Sequence, residues 1–225
     1  MLSTESLAAT LDAVNEALFD GRMLPQRERA AVAVWLAQQC GQDGSYEGMP
    51  APTPLDFASA PRLFTGERLT GRGGMACKLG HEGCRALLVL QVKKPAVTTA
   101  LAAAEERMAA RLESPGSARS GFYCCRPCTV ACWRHLLAGG LDHQEQRLAN
   151  GLTLLRQARL GNGSWRSFPS WYALWALLEM EGAAARAELE YAAPRLERYL
   201  QHPPRAGSVY TTRHMEIARR ALERV

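Results

Sequence analysis

Long apolar runs are missing from this chain. Its 225 residues hold no stretch of ~18 apolar residues, which argues against a membrane-spanning helix. The first twenty-odd residues, MLSTESLAATLDAVNEALFDG, have neither a basic leader nor an unbroken apolar segment, so they read as an amphipathic helix rather than a signal peptide. Lysine is scarce, occurring only at 78, 93 and 94. The net charge of +5 is therefore carried almost wholly by arginine, spread along the sequence and interleaved with glutamate. Nucleic-acid binding would need those charges gathered on one face, so it is not the expectation. No segment shows the apolar–polar alternation of a strand bounded by turns. What remains is an all-α chain, 47% apolar and long enough to bury a core.

Cysteine is present in odd number, seven, with four of them at 124, 125, 128 and 132. Crowded cysteines with nothing that suggests export point to a reducing, cytoplasmic setting, where thiols or metal ligands come before disulfides. Cys125-x-x-Cys128 is not a c-type haem site, because Thr129 stands where histidine is needed.

An internal period organises the chain. Gly121–Gly140 laid over Gly163–Gly182, an offset of 42, gives six identities in twenty positions, including Pro127 with Pro169 and Trp133 with Trp175. A second recurrence is Gln, five residues, then Gly-Ser-aromatic: Gln38, Gly44 and Tyr46, then Gln157, Gly163 and Trp165. GSVY at 207–210 is a faint further copy. Each period reads as an amphipathic helix, a Gly-aromatic turn, and a more apolar helix opened by proline, which the first helical turn tolerates. The expectation is a single domain over 1–225, built as stacked α-hairpins, about four or five at this period.

The Gln-gap-Gly-x-aromatic recurrence resembles the QW motif of terpene cyclases and the related repeat of protein prenyltransferase β-subunits, over 29–46 and 103–182. The resemblance implies a partial α/α toroid with a central cavity. It also implies that Gln38 and Gln157 bond the backbone ends of neighbouring helices, with the aromatic stacked against them. The Asp-x-Asp-Asp acid motif and the Asp-Asp-x-x-Asp diphosphate motif are both absent; the nearest analogue of the prenyltransferase zinc element is HEGC at 81–84.

The 42-residue register puts Cys125, Cys128 and Cys132 on one face of an inner helix, and Cys77, His81 and Cys84 share a face if their segment is helical. Thiolates and imidazole suit zinc, so these six are the candidate metal ligands. Free cysteine also packs as a small apolar residue in crowded helices, and Cys125 or Cys128 beside Arg126 is a candidate reactive thiol; all three readings stand. His135 is expected to be a satisfied structural histidine, and the Thr-x-x-His-x-Glu start around Arg213 and His214 a capped helix. If inner-helix N-termini meet at one cavity mouth, Arg126, Ser170, Trp171 and Tyr172 would hold a hydrophobic, isoprenoid-like ligand bearing an anionic head group. Trp165, Trp171, Tyr172 and Trp175 would line the cavity or simply fill the core. The Pro- and Gly-rich stretch 47–74 could cover one mouth of it. Two functions follow: a prenyltransferase- or cyclase-like protein, with zinc as its metal, or a non-catalytic helical module that binds a protein partner.

Overall fold

A computed structural model describes residues 3–114, 120–202, 204 and 207–225; positions 115–119, inside the 103–182 span, lie outside the described residues. The described chain is helical: α1 (Leu7–Phe19), α2 (Gln26–Gln39), α3 (Pro54–Ser59), α4 (Arg72–Leu90), α5 (Pro95–Leu112), α6 (Arg126–Ala138), α7 (Gln144–Gln157), α8 (Ser170–Leu178), α9 (Ala183–Gln201) and α10 (Val209–Leu222). Among the described residues no strand forms; there are three isolated bridges, Cys40 with Pro50, Arg62 with Arg68 and Arg159 with Trp165. No helix among them is long and apolar enough to cross a membrane.

The central row is α4 against α6 and α6 against α8, with α1 on the far side of α4 and α10 beside α8. Helices α2, α5, α7 and α9 flank this row. The row is the apolar part of the chain: Val130, Ala131, Ala173, Leu174 and Ala176 are wholly buried. A bidentate pair closes the first helix onto the last, Arg213 donating to both carboxylate oxygens of Asp12 at 2.8 Å.

Two glycines inside α4 cost helix propensity, and the packing shows why they are there. A Cβ on Gly80 would stand 2.9 Å from the Cβ of Met49, and one on Gly83 would stand 2.8 Å from Pro50 Cγ. The chain after α2 therefore lies directly on the backbone of α4. The stretch 47–74, expected as a cavity cover, is built into the core instead. Met49, Ala51, Leu63, Phe64 and Leu69 are buried, and Asp56 is fully buried. The Asp56 carboxylate completes a capping box with Thr53 at the start of α3. It also accepts from Ser6 Oγ at 2.6 Å, Leu7 N at 2.9 Å and Ala8 N at 3.2 Å, capping α1 as well.

The paired segments 121–140 and 163–182 are each a loop that runs into a helix, α6 and α8. Gly44 and Gly163 both sit at positive φ, +82° and +80°, as their turns require. The glutamines of the motif behave otherwise than expected. Gln38 and Gln157 are exposed at the ends of α2 and α7. The aromatic residue supplies the bond: buried Trp165 donates its indole N–H to Glu188 Oε2 of α9 at 2.8 Å.

Candidate metal centre

The N-terminal half of α4 faces the loop that leads into α6. Cys77 is buried there, with His81 one turn further along the same face of α4. Across from it, Pro127 lies in the first turn of α6 and Cys125 is the N-cap, in extended conformation. Thr129 fixes the loop, its hydroxyl accepting from Tyr123 N–H at 2.9 Å and donating to the Cys125 carbonyl at 2.8 Å. Tyr123 is buried, its hydroxyl donating to that of Tyr46 at 2.8 Å, and its ring meets His81 edge-on at 5.5 Å. This braced loop delivers Cys124.

The sulfurs of Cys77, Cys124 and Cys128 lie within 4.8 Å of one another. A tetrahedral ion with Zn–S bonds of ~2.3 Å would set them about 3.8 Å apart, so contraction by about 1 Å or less makes three ligands. Cys77 and Cys128 are buried, while Cys124 is exposed and gives the cluster an opening to solvent. At this separation the three thiols perturb one another. Bonds from Cys128 and Cys77 push the Cys124 thiol far below its ordinary value, with nearby His81 helping. Cys77 is raised by those bonds and by burial, and Cys128 chiefly by its bond to Cys124. Three crowded sulfurs are a seat for a soft cation, whose binding would displace the thiol protons.

The other predicted ligands lie elsewhere. Cys125 is exposed and outside the cluster. An extended backbone alternates its side chains, so the residue just before the N-cap, Cys124, turns its sulfur toward Cys77 and Cys128 where a helical register had placed Cys125. Cys84 is wholly buried, and burial, with Cys40 and Glu105 nearby, raises its thiol well above the ordinary value. Cys132 is buried and pushed up to about 12 by burial. It lines a small crevice with Leu112 and Trp133. Both pack as apolar residues. His81 falls outside the three-sulfur set, yet its imidazole is fully buried and its Nε2 has no hydrogen-bond partner among the described residues. His135 is not the satisfied histidine expected: it is also fully buried, and its Nε2 is likewise unpartnered. A second group, Glu113, Asp142 and His143, is exposed, and its two carboxylates already pair with the Arg147 guanidinium.

Below the thiols, the same two helices hold a buried charge network. Arg134 Nε donates to Glu82 Oε1 at 2.8 Å, and Arg134 Nη1 lies 2.8 Å from Glu179 Oε1. Arg85 Nη2 donates to that same Glu179 oxygen at 2.6 Å, and Tyr172 donates to Glu82 Oε1 at 2.5 Å. The Arg134 guanidinium lies 3.3 Å from the centroid of the Trp175 ring. Burial would raise Glu82, but Arg134 and Arg85 outweigh it and hold its carboxyl down at about 2.

The four predicted ligand-binding residues are dispersed. Tyr172 and Trp175 are buried in this network and Trp165 in the core beside it. Trp171 stacks on His214 with ring centroids 4.3 Å apart, and His214 Nε2 in turn lies 2.8 Å from the Thr65 carbonyl oxygen. Ser170 begins α8. Arg126 lines a surface cleft of about 340 Å³ with Phe122, Gln157, Arg166 and Phe168. Comparison with family models, with curated proteins and with solved structures finds no match for this chain. The chemistry of the site rests on its own geometry.

Proposed function

We propose that this protein is a helical scaffold that binds a single zinc ion through Cys77, Cys124 and Cys128, the ion joining α4 to the entry of α6. The observation that carries the reading is the convergence of three sulfurs within 4.8 Å, two from one loop-helix junction and one from a helix more than forty residues earlier. Soft thiolates select zinc over magnesium or calcium. The arrangement of helices supports a partial α/α toroid: α1, α4, α6, α8 and α10 inside, and α2, α5, α7 and α9 outside. Its centre holds the Glu82–Arg134 network, so the metal serves a structural or partner-binding module better than chemistry on an isoprenoid. Elemental analysis of the full-length protein tests this. One zinc per chain, lost on Cys77→Ser or Cys128→Ser, is expected. Metal-free protein whose melting temperature ignores added zinc and chelator would overturn it.

A second reading, a prenyltransferase-like site for an anionic ligand with an apolar tail, is favoured by the cleft where Arg126 and Arg166 stand beside Phe122 and Phe168. A fluorescent prenyl diphosphate tests it: micromolar binding that Arg126→Ala weakens supports a ligand site, and no binding removes it.

A further inference from the structure

Among the described residues, three buried polar atoms outside the three-sulfur set lack hydrogen-bond partners: His81 Nε2, His135 Nε2 and Glu105 Oε1. They belong to one chain of groups. His81 Nδ1 and His135 Nδ1 are 3.2 Å apart, and His135 Nε2 is 4.0 Å from Glu105 Oε1. Both imidazoles are completely buried, and the Glu105 side chain is 17% exposed. Unpaired buried nitrogens are costly unless something fills the gap.

The carboxylate decides the direction of the chain. Only one proton can lie between the two Nδ1 atoms. If His135 gave it, His135 Nε2 would turn a lone pair toward a carboxylate oxygen, and two acceptors would face each other. If His81 gives it, His135 carries its own proton on Nε2 and directs it at Glu105 Oε1, where closing by about 1 Å makes a hydrogen bond. His81 is then protonated on Nδ1, and its Nε2 presents a free lone pair. That nitrogen belongs to a ring on the same face of α4 as Cys77, packed edge-on against Tyr123, the residue before Cys124.

Resting on the zinc reading above, we infer that His81 is the fourth ligand, through Nε2, and that His135 and Glu105 are positioning residues that fix its tautomer and ring orientation. A carboxylate–imidazole chain behind a metal-bound histidine does this in general, and losing such partners costs about 10- to 100-fold in metal affinity. The site becomes Cys77, His81, Cys124 and Cys128, a closed tetrahedral set of the structural kind.

The test is titration of metal-free, full-length protein with Co²⁺, read from its visible d–d and thiolate charge-transfer bands. Wild type should show a tetrahedral spectrum with three thiolates. His135→Phe and Glu105→Gln should each weaken binding by about 10- to 100-fold and shift the d–d bands; His81→Ala should weaken it further. His135→Gln, which can still accept from His81 Nδ1–H, should retain more affinity than His135→Phe. His81→Cys should restore tight binding and add a fourth thiolate band. If His81→Ala fails to fold, His81→Cys decides alone: an unchanged charge-transfer spectrum would overturn the inference. So would a His81→Ala protein that binds Co²⁺ like wild type. Folded wild type that takes up no Co²⁺ would instead defeat the zinc reading itself.

Discussion

Helices α4 and α6 carry two polar clusters side by side, and the two are built on opposite principles. In the Glu82–Arg134 network, every charge faces an opposite charge: Glu82 meets Arg134, Arg134 meets Glu179, and Arg85 meets Glu179. In the cluster above it, three thiols crowd together and the imidazoles behind them keep unpartnered nitrogens. The first is charge-balanced by the chain's own groups, Arg134 Nη1 being held by the charge of Glu179 Oε1 at 2.8 Å without an aligned hydrogen bond. The second is short of a cation. A buried polar group that is satisfied argues for structure, and one that is not argues for a ligand.

The sharpest way to break this comparison is to remove a partner from the charge-balanced cluster. Arg134→Ala removes the one guanidinium that is hydrogen-bonded to buried Glu82, and should cost about 3–5 kcal/mol in urea unfolding. Arg134→Met with Glu82→Gln should recover much of that loss, because no lone charge remains. A cost below about 1 kcal/mol for Arg134→Ala would mean that the network is not a settled structural element.

The incomplete cluster should respond to metal instead. At free zinc 100-fold above its dissociation constant, the wild-type protein should gain about 2.7 kcal/mol over the chelated form. Cys77→Ser should gain none, which differential scanning calorimetry with and without chelator would show. Two cysteines supply the control. Cys84→Ala and Cys132→Ala should each cost about 1 kcal/mol through lost packing and leave the zinc stoichiometry unchanged. Loss of zinc in either variant would place that sulfur in the site.

The smallest effect concerns Glu67, which is half-buried and accepts from Tyr172 N–H at 3.2 Å. Burial raises its carboxyl above the ordinary 4.5, against the bonds from Thr65 and Tyr172. Because the folded state favours the protonated acid, the stability it supplies is full below about 4.5 and fades as pH rises through the raised value. Glu67→Gln keeps an acceptor for Tyr172 and removes the buried charge. It should stabilise the protein by about 1 kcal/mol at neutral pH, and that gain should vanish below about pH 4.5. Unfolding curves for both proteins across pH 3–8 would check the sign.

How much of this was legible in the sequence differs between the clusters. The helical class followed from periodicity, and the shared face of Cys77 and His81 from their four-residue spacing. Cys128 was legible as well, since it lies within a helix whose start Pro127 announces. Cys124 was not, because the side it faces depends on where α6 begins, and helix ends are the least legible part of a sequence. The charge network was invisible for a different reason. Glu82 and Arg134 are 52 residues apart and look like ordinary surface charges until tertiary packing buries them. The same holds for Trp165, whose partner Glu188 lies 23 residues on. The motif glutamines were the converse case: a recurrence that is real in the sequence, with side chains exposed at both copies.

Asp56 caps α3 and α1 at once, so two helix N-termini far apart in the chain share one carboxylate. The amide hydrogens of Leu7, Ala8 and Thr53 are all held by it. The Leu7 and Ala8 amides exchange with solvent when the segment around α3 lifts away from α1, whereas the Thr53 amide is held within the capping box of α3 itself. In hydrogen exchange Leu7 and Ala8 should therefore open together with a common free energy, set by a carboxylate nearly fifty positions further along the chain.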